Sequence, residues 1–179
     1  MKKIVCTLGT IDVAIEAIEK LQESLDKKTK LLAERLADIG IEQASVSFQN
    51  ALYDGINDVT VESSPTWVDE NTLVIKASGQ AIAFIEFGTG VWNTGWHPKA
   101  AEHGALRGEY GQGKGQNKAW GYYGDPSHAN SGTAHVVSGS KGTVIVTRGN
   151  DPNYCMYDAA QAMRQEVERI AREVFSSND

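Results

Sequence analysis

The chain has 179 residues, with 17 basic against 23 acidic side chains, a formal charge of -6 and a pI near 5.2. That length suits one domain with a core of its own, and the acidic balance argues against a general nucleic-acid binder, which carries a basic excess. No run approaches the roughly 18–20 apolar residues of a membrane span, the short apolar start does not read as a signal peptide, and Cys6 and Cys155 match no metal or redox spacing, which points to a reduced, cytosolic setting.

A helix is expected over residues 10–39. Ile11, Ile18, Leu25, Leu32 and Ile39 recur every seven positions, and Ile15, Leu21 and Leu36 widen the stripe to a face that reads as core-facing. Thr10 is the candidate N-cap and Gly40 the candidate stop, with Lys27-Lys28-Thr29 a candidate break. The region 41–77 reads as strands. Ala44, Val46 and Phe48 alternate with polar residues, and Val59–Glu62 and Thr72–Lys76 follow, separated by a Ser63-Ser64-Pro65 break. Connections this short imply antiparallel pairing in a meander.

Residues 80–90 are expected to form a short helix, Gln80 to Phe87, stopped by glycine. Residues 91–142 show no apolar period and read as one long loop. Of the 18 glycines, 14 lie between Gly88 and Gly149, together with all four histidines and three of the four tryptophans. Trp92, Trp96, Tyr110, Trp120, Tyr122 and Tyr123 make this unlike a solvated linker, which is poor in aromatics, and mark them as candidate interface anchors. Glycine-rich backbone is costly to fix, so the loop is expected to order on assembly. A strand at 143–147 closes the excursion. A final helix, 153–176, is entered at Pro152, with Ala160, Met163, Val167, Ile170 and Val174 on one face.

Catalytic motifs are weak. His97 and His103 are separated by five residues and His128 and His135 by six, wider than zinc pairs, with no His-Glu-x-x-His and no Cys-x-x-Cys. A metal-dependent hydrolase built on these four histidines is the alternative from another class. Ser138-Gly139-Ser140 is no nucleophile elbow, and Cys155 on the apolar side of its helix suits a core thiol. Gly111-Gln112-Gly113-Lys114-Gly115 lacks the ending of a phosphate-binding loop. Between Gly88 and Gly142 five cationic residues face three acids, a net +2, so a nucleic-acid module contacting through Lys114 and Lys118 is a third reading.

The most specific stretch is Ala81-Ile82-Ala83-Phe84-Ile85-Glu86-Phe87-Gly88-Thr89-Gly90. Glu86 lies between large apolar residues and so requires a cationic or backbone N–H partner, while Gly88 and Gly90 permit positive φ. This stretch resembles the signature of the neck, or tail-completion, family of long-tailed bacteriophages. The order of elements is also similar, as is a last helix entered through a proline and an aromatic residue followed by alanine, here Pro152, Tyr154 or Tyr157, and Ala159-Ala160. The 91–142 segment is longer than is usual there.

The resemblance implies a virion structural protein at the head–tail junction, a homo-oligomeric ring that joins connector to tail. It implies no enzyme activity, cofactor, metal, membrane or small-molecule substrate, and DNA passing through the channel without sequence-specific binding. Glu86, Phe87, Gly88, Thr89 and Gly90 would be the assembly motif. A tail terminator or minor head protein fits the same resemblance. The fold class expected is α+β, a single domain over 1–179 with a small, mainly antiparallel sheet flanked by two long helices.

Overall fold

The structure, a computed structural model, describes residues 11–90, 97–111 and 117–176. Thr10, Cys6, Trp92, Trp96 and Lys114, to which the sequence assigns roles, lie outside the described residues. The fold is α+β: a long N-terminal helix, small antiparallel sheets and a C-terminal helix. Among the described residues no helix is long and apolar enough to cross a membrane.

Helix α1 spans Ile11–Gln49, 39 residues, and so runs through both the expected break and the expected stop. At Lys27-Lys28-Thr29 it continues, with the Thr29 hydroxyl donating back to the Leu25 carbonyl at 2.8 Å. The strand read over Ala44–Phe48 is helix instead. Alternation over five residues competes there with a longer helical spacing, since Ala37, Gly40, Ile41, Ala44 and Phe48 form one buried face while Val46 is exposed. That face packs on helix α3, Cys155–Ser176, which buries Cys155, Ala159, Ile170 and Val174.

The two helices run antiparallel. Phe48 shares a core cluster with Cys155, Gly40 faces Met163, and Arg35 pairs with Glu173 at 3.1 Å. Gly40 is therefore a point of close approach rather than a stop. A Cβ there would sit 2.5 Å from Ile75 Cδ1 and 2.7 Å from Met163 Sδ. The expectation of a core-facing stripe also changes, because Ile11, Ile15, Ile18, Leu21 and Leu25 are all exposed. The body begins only further along the helix.

After α1 the chain makes one hairpin arm. The outer strands β1 (Thr60–Val61) and β4 (Ala77–Ser78) pair antiparallel, as do the inner strands β2 (Thr66–Asp69) and β3 (Thr72–Val74). Glu62 N–H donates to the Lys76 carbonyl at 2.9 Å, extending the outer ladder towards Pro65, which has no N–H to continue it. The expected meander is thus two nested pairs, and β2 lies outside the strands that the sequence pattern marks. Trp67 on β2 donates to Glu34 on α1 at 3.4 Å.

Helix α2, Ile82–Phe87, forms as expected. The segment read as one long loop does not stay irregular. It contains β5 (Trp120–Tyr123), a 3-10 turn at Pro126–His128 and β6 (His135–Gly139). With β7 (Gly142–Thr147) these make a three-stranded antiparallel sheet in the order β5-β7-β6. The expected 143–147 strand is its centre. The main core cluster is Phe48, Ala51, Ala81, Ile85 and Cys155, and a second joins Phe87, Ala100 and Ala105.

Candidate functional site

Glu86 lies near the end of α2 and is 4% exposed, and the partner that burial demands comes from two directions. Its Oε2 accepts from the N–H of Met156 at 2.8 Å, and its Oε1 from the N–H of Tyr157 at 3.0 Å. These are two of the unpaired amides that open α3, where Asp158 N–H already donates to the Tyr154 carbonyl at 2.8 Å. Glu86 thus caps a helix 70 residues away, where the positive end of the macrodipole favours an anion.

The third partner is His97. Its Nε2 lies 3.0 Å from Glu86 Oε1, while its Nδ1 accepts from the Lys99 N–H at 3.1 Å. Since Nδ1 faces a donor, Nε2 carries the proton and donates to the carboxylate. Three hydrogen bonds to a charged group, each contributing about 1.5–3 kcal/mol, offset the desolvation of Glu86. The ring of His97 stacks on Tyr154 at 5.2 Å with 10° between planes and meets Phe87 edge-on at 4.5 Å. Tyr154 is the one described non-glycine residue at positive φ, +56°. That conformation costs about 1–3 kcal/mol, and it places the Tyr154 ring against His97.

The other motif residues stitch α2 to the segment before α3. Phe87 is buried against His97, Ala100 and Ala105. Gly88 has φ 81° and ψ 175°, a region essentially restricted to glycine, and a Cβ there would lie 2.8 Å from the Asn150 carbonyl oxygen. Its own carbonyl accepts from the Tyr110 hydroxyl. Thr89 N–H donates to the Asn150 carbonyl at 2.8 Å, and its hydroxyl donates to Asn150 Oδ1 at 2.7 Å. Gly90 passes so close to Trp120 that a Cβ would lie 2.7 Å from the indole ring. Each of the five residues has a defined intrachain task.

A second buried carboxylate, Asp54, anchors the excursion. It accepts from the Ser131 N–H at 2.8 Å, the Ser131 hydroxyl at 2.5 Å and the Thr147 hydroxyl at 2.5 Å. It thereby ties the segment after α1 to the 131–133 turn and to β7. In the sequence Asp54 reads as a turn residue beside Gly55, and no local signal distinguishes it from Asp58.

Beside Asp54 opens a cleft of about 980 Å³. Tyr53, Phe84, Tyr110, Trp120, Tyr122 and Tyr123 give it aromatic walls, and Asp54, Thr89 and Arg107 also line it. The structure thus brings four of the six candidate anchors together around one opening. Only Tyr123 among them is strongly exposed, at 69%. The Tyr122 hydroxyl has no hydrogen-bond partner among the described residues, and burial first, then Asp54, raises its pKa.

Cys155 is fully buried, as its position on the apolar face implied. Burial, then the nearby Glu86 charge, pushes its thiol up to about 12, which leaves it a poor nucleophile. The histidines do not converge. His97 has both ring nitrogens engaged, His103 and His135 are exposed on separate segments, and His128 ends the 3-10 turn. Among the described residues no three His, Cys, Asp or Glu side chains are grouped to hold a metal ion. Comparison with protein-family models, curated proteins and solved structures finds no match for this chain.

Proposed function

We propose that this protein is a structural subunit of a tailed-phage virion, acting at the head–tail junction as a neck or tail-completion component. The resemblance of Glu86–Gly90 and of the element order to that family supports the location. The observation that carries a subunit role is the outward face of the β5-β7-β6 sheet. Tyr123, Val144 and Val137 pair across three strands there, on the side opposite the fully buried Ile145, and Tyr123 and Val137 stand open to solvent. Contiguous exposed apolar surface marks a contact with another protein.

In this reading the locked centre around Glu86 keeps the body rigid, and the sheet face and aromatic cleft receive neighbouring subunits, connector or tail in a homo-oligomeric ring. The net charge of -6 suits a channel wall that repels DNA and lets it pass. The role is structural, without cofactor or substrate, and belongs to the virion. Deleting the gene from its phage tests this. Electron microscopy should show filled heads and free tails that fail to join, rescued by the wild-type gene. Normal joined particles would overturn the proposal.

A further inference from the structure

The half of α1 that projects past α3 carries surface that the described body does not cover. The contact between the helices reaches Arg35 and Glu173, near the end of α3. Upstream, Ile11, Ile15, Ile18, Leu21 and Leu25 form one stripe about 22 Å long, counting residues 11–25 at 1.5 Å each. Ile18 is 59% exposed, Leu21 60% and Leu25 46%. A helix of this length standing alone is marginal in water, and an apolar seam repeating every seven residues is the pattern a second helix covers.

Charge along this stretch indicates which helix that is. From Asp12 to Asp26 five carboxylates (Asp12, Glu16, Glu19, Glu23, Asp26) stand against Lys20 alone, a net -4. From Lys27 to Lys30 three cations (Lys27, Lys28, Lys30) stand with no acid among them, a net +3. The helix is therefore complementary to itself in reverse. We propose that two copies of this chain associate through residues 11–32 of α1 as an antiparallel helix pair, apolar stripe on apolar stripe.

At that register Glu16 lies level with Lys27 of the other helix, Lys20 with Glu23, and Asp12 one residue from Lys30, within the roughly 8–10 Å over which charges act at moderate salt. A parallel pair would set -4 beside -4. Antiparallel pairing also places the two folded bodies at opposite ends of the contact. The contact is isologous and closes at two copies, so it is distinct from any head-to-tail ring and stands independently of the phage reading.

Sedimentation of the full chain at about 100 μM, the upper end of a useful affinity range, tests this with two sets of variants. The wild type should be a dimer. I18E/L25E, both at exposed positions, should weaken dimerisation at least tenfold while far-UV circular dichroism and Tm of the body stay unchanged. Raising salt should weaken the dimer. A variant with Lys27, Lys28 and Lys30 changed to Glu should be monomeric alone. It should form a 1:1 pair with a variant carrying Glu16→Lys, Glu19→Lys and Glu23→Lys. A monomeric wild type, an assembly indifferent to I18E/L25E, a dimer that tightens with salt, or charge variants that do not pair would each overturn the proposal.

Discussion

Glu86 and Asp54 are both buried carboxylates, 4% and 8% exposed, yet they are satisfied by different chemistry. Around Glu86 the donors are two backbone amides of α3 and an imidazole held by its own second hydrogen bond. Around Asp54 one donor is a backbone amide, and the others are the hydroxyls of Ser131, Thr147 and, at 3.5 Å, Thr133. A backbone amide can only donate, whereas a hydroxyl can turn and accept. The first centre therefore demands an anion and the second tolerates a neutral replacement. One fixes the register of a helix, and the other ties a glycine-rich excursion to the body.

The largest expected effect tests the Glu86 side. Glu86→Ala leaves two amides and His97 without their acceptor, at a cost of about 3 kcal/mol. In a domain of this size that lowers Tm by about 10 °C, measurable by calorimetry. Glu86→Gln should recover only part of this, costing about 2 kcal/mol, because its NH2 must face a donor. Asp54→Asn should cost about 1 kcal/mol, since the hydroxyls of Ser131 and Thr147 can reverse. An Asp54→Asn protein as damaged as the Glu86→Gln protein would break the comparison.

Cys155, beside Glu86, reports whether that centre opens. With its thiol protonated at neutral pH and fully buried, it should label with iodoacetamide no faster than the protein unfolds. Rapid labelling of Cys155 in a Cys6→Ser protein would show that the cap on α3 opens locally.

The smallest effect belongs to a third, exposed carboxylate. Asp58 accepts from the amides of Gln80 and Ala81 at 2.8 and 2.9 Å, which lowers its pKa below the ordinary carboxylate value. Its contribution is present above the unfolded value and lost as pH falls through the folded one. Acid titration below about pH 4 should thus separate wild type from Asp58→Asn only by a small loss that the variant lacks.

Much of the secondary structure is legible in the sequence because apolar spacing is a local property. The short α2, the strand at 143–147 and the C-terminal helix all follow from their own residues. The strand pattern at Ala44–Phe48 shows the limit of a short window. Extending it back to Ala37 and Gly40 reveals the helical face that wins once α3 covers it. In the excursion, β5 pairs with β7 more than 20 residues later, so its strand character rests on a partner that no local window contains. At the site, the pattern around Glu86 requires a donor but cannot name it.

Sequence by itself therefore determined the α+β class, the two long helices and a buried carboxylate that needed a partner, because burial and periodicity act between near neighbours. Only the tertiary structure decided that the partners are the α3 amides and His97, and that Asp54 is a second such centre. It also decided that the first part of the α1 apolar stripe, Ile11 to Leu25, faces solvent. Those outcomes depend on which distant segments meet, which no spacing along the chain specifies.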